Sequence, residues 1–402
     1  MTSVERVDLE KTHSPTLVRR LGPLDGASII VSNVIGSGIF IVPALVAGWI
    51  PNVWAMLAAW GVGGMLAFAG AMAYAELAVL RPHAGGEYVY LRDAFGPTVG
   101  FLTGWTSFVA GFSGAIAASA VGFAAFVGQL FPMFTDSAPV FQVPLGFISL
   151  TVSSQTLVAL ALIVVLTVVH VRGLGPGRVV QNILAVSKVA ILVVLIVAGF
   201  SIGTGSIGNF TLPSQPITAE LWLLALIPIM FSFSGWNAAA YVAGEIQDPE
   251  RNVPLAMALG TVTVVVIFLG LNVLYVFAMP LSEIAVVDVR VIDAAAGRLL
   301  GPEVATSIAA ASAVMIAASV SAMIMAGPRV YYAMARDGQF LSAAARVHPT
   351  FRTPVVAIVA QSIWSAVLVL AGTFDQLLLY PGFPVSLFAG TAVAALFVLR
   401  RR

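Results

Sequence analysis

Cysteine is absent from the 402 residues, which excludes disulfides, thiolate metal sites and a cysteine nucleophile. Charge is scarce too. Only 9% of residues are Asp, Glu, Lys or Arg, where a soluble domain carries about a quarter. With 59% hydrophobic residues and a mean hydropathy of +1.00, the chain reads as an integral membrane protein. A net charge of +1 without any basic stripe excludes nucleic acid as a partner. The four histidines (His13, His83, His170, His348) lie far apart without ligand spacing, so neither a metal nor a cofactor is expected. No paired carboxylates or nucleophile–base pair falls within the apolar runs, which argues against an enzyme. The polar first twenty residues carry Arg6, Lys11, Arg19 and Arg20 and lack a signal peptide's apolar core; residues 1–20 read as a cytoplasmic tail.

Apolar runs of bilayer length fall at roughly 24–50, 53–80, 98–132, 156–172, 179–201, 218–244, 253–280, 304–335, 354–372 and 375–399. Ten spans are therefore expected, the third and eighth too long to stand upright. With the amino terminus inside, sixteen Lys and Arg residues fall on the inner segments and only Arg290 and Arg298 on outer ones. This asymmetry predicts both termini in the cytoplasm. The outer segments 133–155 and 202–217 are rich in Gly, Pro, Ser and Thr and read as loops. The stretch 281–303 alternates apolar and charged residues and suits a short surface helix. The expected organisation is 21–201, an outer linker at 202–217, and 218–402, together one domain.

Two of the runs contain residues that a continuous helix tolerates badly. Gly36-Ser37-Gly38 interrupts the first and Phe231-Ser232-Phe233-Ser234-Gly235 the sixth. In hydrocarbon an unwound turn leaves amides and carbonyls unpaired at several kcal/mol each unless protein, water or a solute meets them. Small residues also permit close helix packing, which is the plain alternative. Five spans separate the breaks, so the second half is inverted relative to the first, and paired interruptions in inverted halves point to a midplane binding site. Ser37 and Gly38 would open the second half-helix, where free N–H groups and the helix dipole seat an anion. Carbonyls near Val34 and Ile35, and near Phe231 and Ser234, suit an ammonium. No Asp, Glu or Arg falls at this depth, so a solute with a neutral side chain is expected. Phe231, Phe233 and Trp236 are candidates for an apolar wall or gate, or else ordinary core aromatics.

Lys188 is one of two lysines and lies about ten residues beyond Arg178, near the bilayer centre. Ionisable groups at that depth are costly and functional by default. Its expected partners are the loosened carbonyls of the first span and the hydroxyls of Ser319 and Ser321. It reads as a fixed cation where a sodium ion would otherwise brace the first and eighth spans, or as a proton carrier. Two inner motifs, Arg81 to Arg92 and Glu245 to Pro254, read as an amphipathic surface stretch and a helix start with local ion pairing, with gate or scaffold roles.

Val34-Ile35-Gly36-Ser37-Gly38-Ile39-Phe40, the segment Arg81–Leu91, and the run from Phe231 through Gly235-Trp236-Asn237 to Glu245, Asp248, Pro249, Arg251, Asn252 and Pro254 resemble the amino acid–polyamine–organocation (APC) superfamily. They are most similar to its L-type amino acid transporter branch and bacterial relatives. The resemblance implies an all-α membrane protein with the LeuT-like five-plus-five inverted repeat. It implies that a substrate carboxylate meets the backbone at Ser37 and Gly38 and that the ammonium meets carbonyls near Val34, Phe231 and Ser234, with Ile35, Gly36 and Gly235 counted among the substrate-binding residues. Phe231 matches the family's gating aromatic, with Trp236 beside it, and Lys188 matches the lysine of sodium-independent members. Animal members pair with a heavy chain through a disulfide, which this cysteine-free chain cannot form. A bacterial-type multi-pass protein of the cell membrane is implied, its oligomeric state left open. Members usually have twelve spans where ten are counted here, and often glycine where Ser234 stands, which narrows the pocket. The expected function is sodium-independent exchange of neutral L-amino acids, with proton-coupled or amine/polyamine transport, or a transport-dead amino acid sensor, as alternatives.

Overall fold

In an apolar run the peptide groups must satisfy one another, and helices are the way a single segment does so. The computed structural model describes residues 17–134, 140–145, 148–213, 215–287, 290–371 and 374–401. The tail up to residue 16, Asp288, Val289 and Arg402 lie outside them. The first helices are α1 (Pro23–Val34), α2 (Gly38–Trp49), α3 (Val53–Leu80), α4 (Glu87–Phe95) and α5 (Pro97–Leu130). A hairpin follows, then α6 (Ser154–Val171), α7 (Leu174–Ser201), α8 (Ala219–Ser232) and α9 (Ala238–Tyr241). The chain continues with α10 (Pro249–Ala278), α11 (Val291–Leu300), α12 (Ala305–Ala326), α13 (Pro328–Arg336), α14 (Val355–Ala371) and α15 (Phe374–Leu399).

Local chemistry sets many of the helix starts. Pro23 occupies the first turn of α1, and the Gly22 N–H donates to Asp25 Oδ2 at 2.7 Å, placing a carboxylate at the positive end of the dipole. Asn52 caps α3 by accepting from the Ala55 N–H at 3.0 Å, and Ser153 and Thr156 cap α6 reciprocally. By length and composition six of the described helices can cross a membrane, and α1–α2, bent by 49°, make a seventh. Ala219–Ser232, Val355–Ala371 and Leu387–Leu399 are shorter apolar helices. The molecule is a helical membrane protein.

The core is built where α10 packs on α3 and α1, and where α12 packs on α5 and α7. Trp60, Phe233 and Phe268 form an aromatic knot within it, with the Phe233 and Phe268 centroids 4.9 Å apart. Three segments differ from expectation. The segment expected to be a loop at 133–155 contains an antiparallel hairpin, β1 (Phe141–Leu145) with β2 (Ile148–Val152), Phe141 facing Val152. In α5 the chain widens into a π-turn at Ser107–Gly111. The stretch expected to lie on the membrane surface is instead tucked inward: Tyr88, Tyr90 and Leu91 are fully buried, because their faces pack into the core. Helix α11 occupies the stretch 281–303, which was expected to hold a short helix.

Candidate functional site

Helix α1 ends as Ile35 turns to extended backbone (ψ 93°), and α2 restarts at Gly38. The N–H groups of Gly36, Ser37, Gly38 and Ile39 have no hydrogen-bond partner among the described residues, while those of Phe40 and Ile41 return to the Ser37 carbonyl at 3.1 Å. These are the orphan donors that every helix start exposes, here inside an apolar bundle. The sixth run opens likewise. Helix α8 ends at Ser232, and Gly235 supplies a φ of +107° that a side-chain-bearing residue rarely adopts. The Ser234 N–H returns to the Phe231 carbonyl at 3.0 Å, so that carbonyl is already engaged. The two breaks touch: a Cβ on Gly38 would stand 2.8 Å from Ser232 Cα, so only glycine permits this approach.

Between them lies a cavity of about 200 Å³. Val34, Gly36, Ser37 and Gly38 line one side, and Phe231, Ser234 and Gly235 another. Ser319 reaches it from α12, and the π-turn of α5 contributes Ser107 and Gly111. Irregular turns of this kind recur at functional sites, and nothing in the sequence signals this one. The remaining expected residues lie elsewhere. Ile35 lies behind the lining with its carbonyl turned to Lys188. Trp236 packs edge-on against Tyr74, centroids 4.8 Å apart, and Phe233 sits in the aromatic knot. Neither aromatic is among the lining residues.

Lys188 is fully buried on α7. Its Nζ donates to the Ser32 carbonyl at 2.8 Å, the Ile35 carbonyl at 2.5 Å and Ser319 Oγ at 2.9 Å. An ammonium has three protons, and all three are used. Two of the acceptors are carbonyls that the ending helix releases, at the negative end of its dipole. Ser319 in turn donates to the Ser32 carbonyl at 2.8 Å, so one lysine and one serine clamp α1 to α7 and α12. Ser321 takes no part; its hydroxyl lies 2.9 Å from His170 Nε2.

Two buried features were missed or misplaced by reading the sequence alone. Arg329, one of the basic residues assigned to the inner surface, is 1% exposed and paired with buried Glu245 through two hydrogen bonds of 2.7 and 2.9 Å. Glu87 lines the cavity, which corrects the expectation that no carboxylate reaches it. It stands on α4, outside the spans, where the Gly85 N–H ties the preceding turn to the Tyr241 carbonyl at 3.1 Å. Burial pushes the Glu87 carboxyl up to about 6, against hydrogen bonds from Tyr74, Tyr241 and Asn237 that pull it down.

Comparison with known proteins agrees with this architecture. Residues 21–402 match the family described as amino acid permease. The chain is 28% identical over 393 residues to the serine/threonine exchanger SteT of Bacillus subtilis (strain 168), covering 97% of this chain and 85% of that one. It is 28% identical over 398 residues to the Homo sapiens b(0,+)-type amino acid transporter 1, covering 98% and 78%. It is 30% identical over 394 residues to the Homo sapiens large neutral amino acids transporter small subunit 2, covering 96% and 70%. With this match across nearly its whole length, the chain is a multi-pass membrane protein that belongs to the amino acid permease family, a family of transporters and not of enzymes.

Proposed function

We propose that the protein is a sodium-independent carrier that exchanges small neutral L-amino acids by alternating access. The observation that carries this reading is that two broken helices open onto one cavity, with unpaired amides on one wall. A carboxylate fits the N–H groups of Gly36, Ser37 and Gly38 without any ionised side chain. The ammonium meets carbonyls near Val34, Phe231, Ser234 and Gly235, and Phe231 acts as the gate; Trp236 supports the turn from behind. The names of the relatives, which include an exchanger and amino acid transporters, support exchange.

The architecture belonging to this reading is the LeuT-like inverted repeat, 21–201 against 218–402 joined by 202–217, with both termini cytoplasmic. Counting the bent pair as one span and adding the three shorter apolar helices to the six long ones gives the ten spans it requires. The three acceptors around Lys188 support a fixed cation that takes the place of a bracing sodium ion, with Ser319 as its partner. Proteoliposomes preloaded with unlabelled amino acids, with choline replacing sodium, test the proposal. Labelled neutral amino acids should enter by counterflow; no counterflow for any of them would overturn it. If instead Lys188 carries a proton, a pH gradient alone drives uptake. Glu87 on the cavity wall is the observation favouring an amine or polyamine permease, and competition by putrescine would reveal that activity.

A further inference from the structure

Glu87 is 3% exposed, yet it is among the residues that line the cavity. Among the described residues it is the only carboxylate that lines the cavity, and no lysine or arginine lines it. Among the described residues it makes no ion pair. The buried cations are engaged elsewhere, Arg329 with Glu245, Arg290 with Asp293, and Lys188 with two carbonyls and the Ser319 hydroxyl. Its partners are neutral. Tyr74 Oη donates to Glu87 Oε1 at 2.8 Å, Asn237 Nδ2 donates to the same oxygen, and the Tyr241 hydroxyl lies against the carboxyl. A buried carboxylate without a cation is costly, and a purely structural knot of Tyr, Asn and Tyr would manage with an amide. On the cavity wall, however, a carboxylate offers a strong acceptor to a proton carried by the solute.

We infer that Glu87 determines specificity: its carboxylate accepts a hydrogen bond from the side chain of the bound amino acid, so that the cavity favours small side chains bearing a hydroxyl, amide or ammonium over their apolar isosteres. The inference rests on the amino acid exchange proposed above. Size is limited by Phe112, Met323, Phe231 and Phe388, which line the same cavity of about 200 Å³. The head group is met at the breaks by backbone, which is blind to the side chain, so discrimination must come from the walls. An acidic side chain would face Glu87 and is disfavoured by like charge.

The test measures kcat/KM ratios for counterflow in proteoliposomes, serine against alanine and threonine against valine, with ornithine as the cationic arm. The full chain is compared with Glu87→Gln and Glu87→Ala. A hydrogen bond to a charged acceptor is expected to give wild-type ratios of roughly tenfold or more. In Glu87→Gln, whose amide oxygen still accepts, the hydroxyl ratios fall and any ornithine exchange is lost. In Glu87→Ala both ratios approach one. Each ratio is internal to one variant, so poor expression or a uniformly slower carrier leaves it unmoved, and a merely structural role predicts no change. Should Glu87→Ala fail to fold, Glu87→Gln decides. Wild-type ratios near one, or ratios unchanged in the folded variants, overturn the inference. Absence of exchange for every amino acid by the wild-type protein would instead overturn the carrier reading beneath it.

Discussion

Replacing Lys188 by methionine keeps an unbranched stem of similar volume in place while deleting the cation and all three of its donors. The Ser32 carbonyl still holds the Ser319 hydroxyl at 2.8 Å. The Ile35 carbonyl is left with only a 3.3 Å approach from that same hydroxyl, which has a single proton to give. One buried acceptor is therefore orphaned at the point where α1 unwinds, at a cost of about 1–3 kcal/mol. If the break must keep this geometry for the carrier to turn over, that cost converts to a slowing of roughly 5- to 150-fold, at about 1.4 kcal/mol per decade. Initial counterflow rates, normalised to reconstituted protein and compared with the midpoint of thermal unfolding in detergent, separate turnover from stability. Lys188→Ala should be slower still, since it adds a void of several methylenes at about 0.8 kcal/mol each. Wild-type rates in well-folded Lys188→Met would refute the claim that the ammonium holds the broken helix.

Three further outcomes are expected. Gly38→Ala places a Cβ 2.8 Å from the Ser232 backbone, and overpacking of about 1–3 kcal/mol should reduce affinity about tenfold; Gly36→Ala, with its nearest atom 3.9 Å away, should bind nearly as wild type in the same competition assay. Arg329→Met leaves Glu245 buried without its cation and should cost about 3–5 kcal/mol in thermal stability, much of it recovered in the double variant Arg329→Met, Glu245→Leu. The serine-to-alanine preference should decline as pH falls from 7.5 to 5, because the Glu87 carboxyl, raised to about 6 by burial, takes up a proton and loses the charge that makes it a strong acceptor. The titratable groups around it are the phenols of Tyr74, Tyr90 and Tyr241, and an ordinary phenol is neutral in that range, so a preference in Glu87→Gln that still varied with pH would contradict the assignment.

The parts legible in the sequence are those fixed by local chemistry or by counting along a straight helix. Gly-Ser-Gly and Ser-Phe-Ser-Gly are poor helix formers, and the helices end at Val34 and Ser232, so both breaks stand where expected. Lys188 lies deep because ten residues of helix separate it from Arg178. The choice between Ser319 and Ser321 as its partner was also open to reasoning. Residues two apart on a helix point to nearly opposite sides, so only one of them can face α1, and the other meets His170. What was illegible depends on chain that does not run straight. Distance along the sequence gives depth only while the chain advances through the membrane. After α3 the turn at Gly85 and Gly86, both with positive φ, doubles the chain back, and the turn hydrogen-bonds the Tyr241 carbonyl. A carboxylate counted as surface thereby arrives at the cavity wall. The expectation of a strictly neutral pocket failed for that reason, since a loop that re-enters brings its charges with it. The same logic makes Asn237 informative: its amide donates to Glu87 across the junction between the turn and the second broken helix, α8–α9. Any movement of that helix's inner half must therefore also move the acceptor that the substrate's side chain would meet.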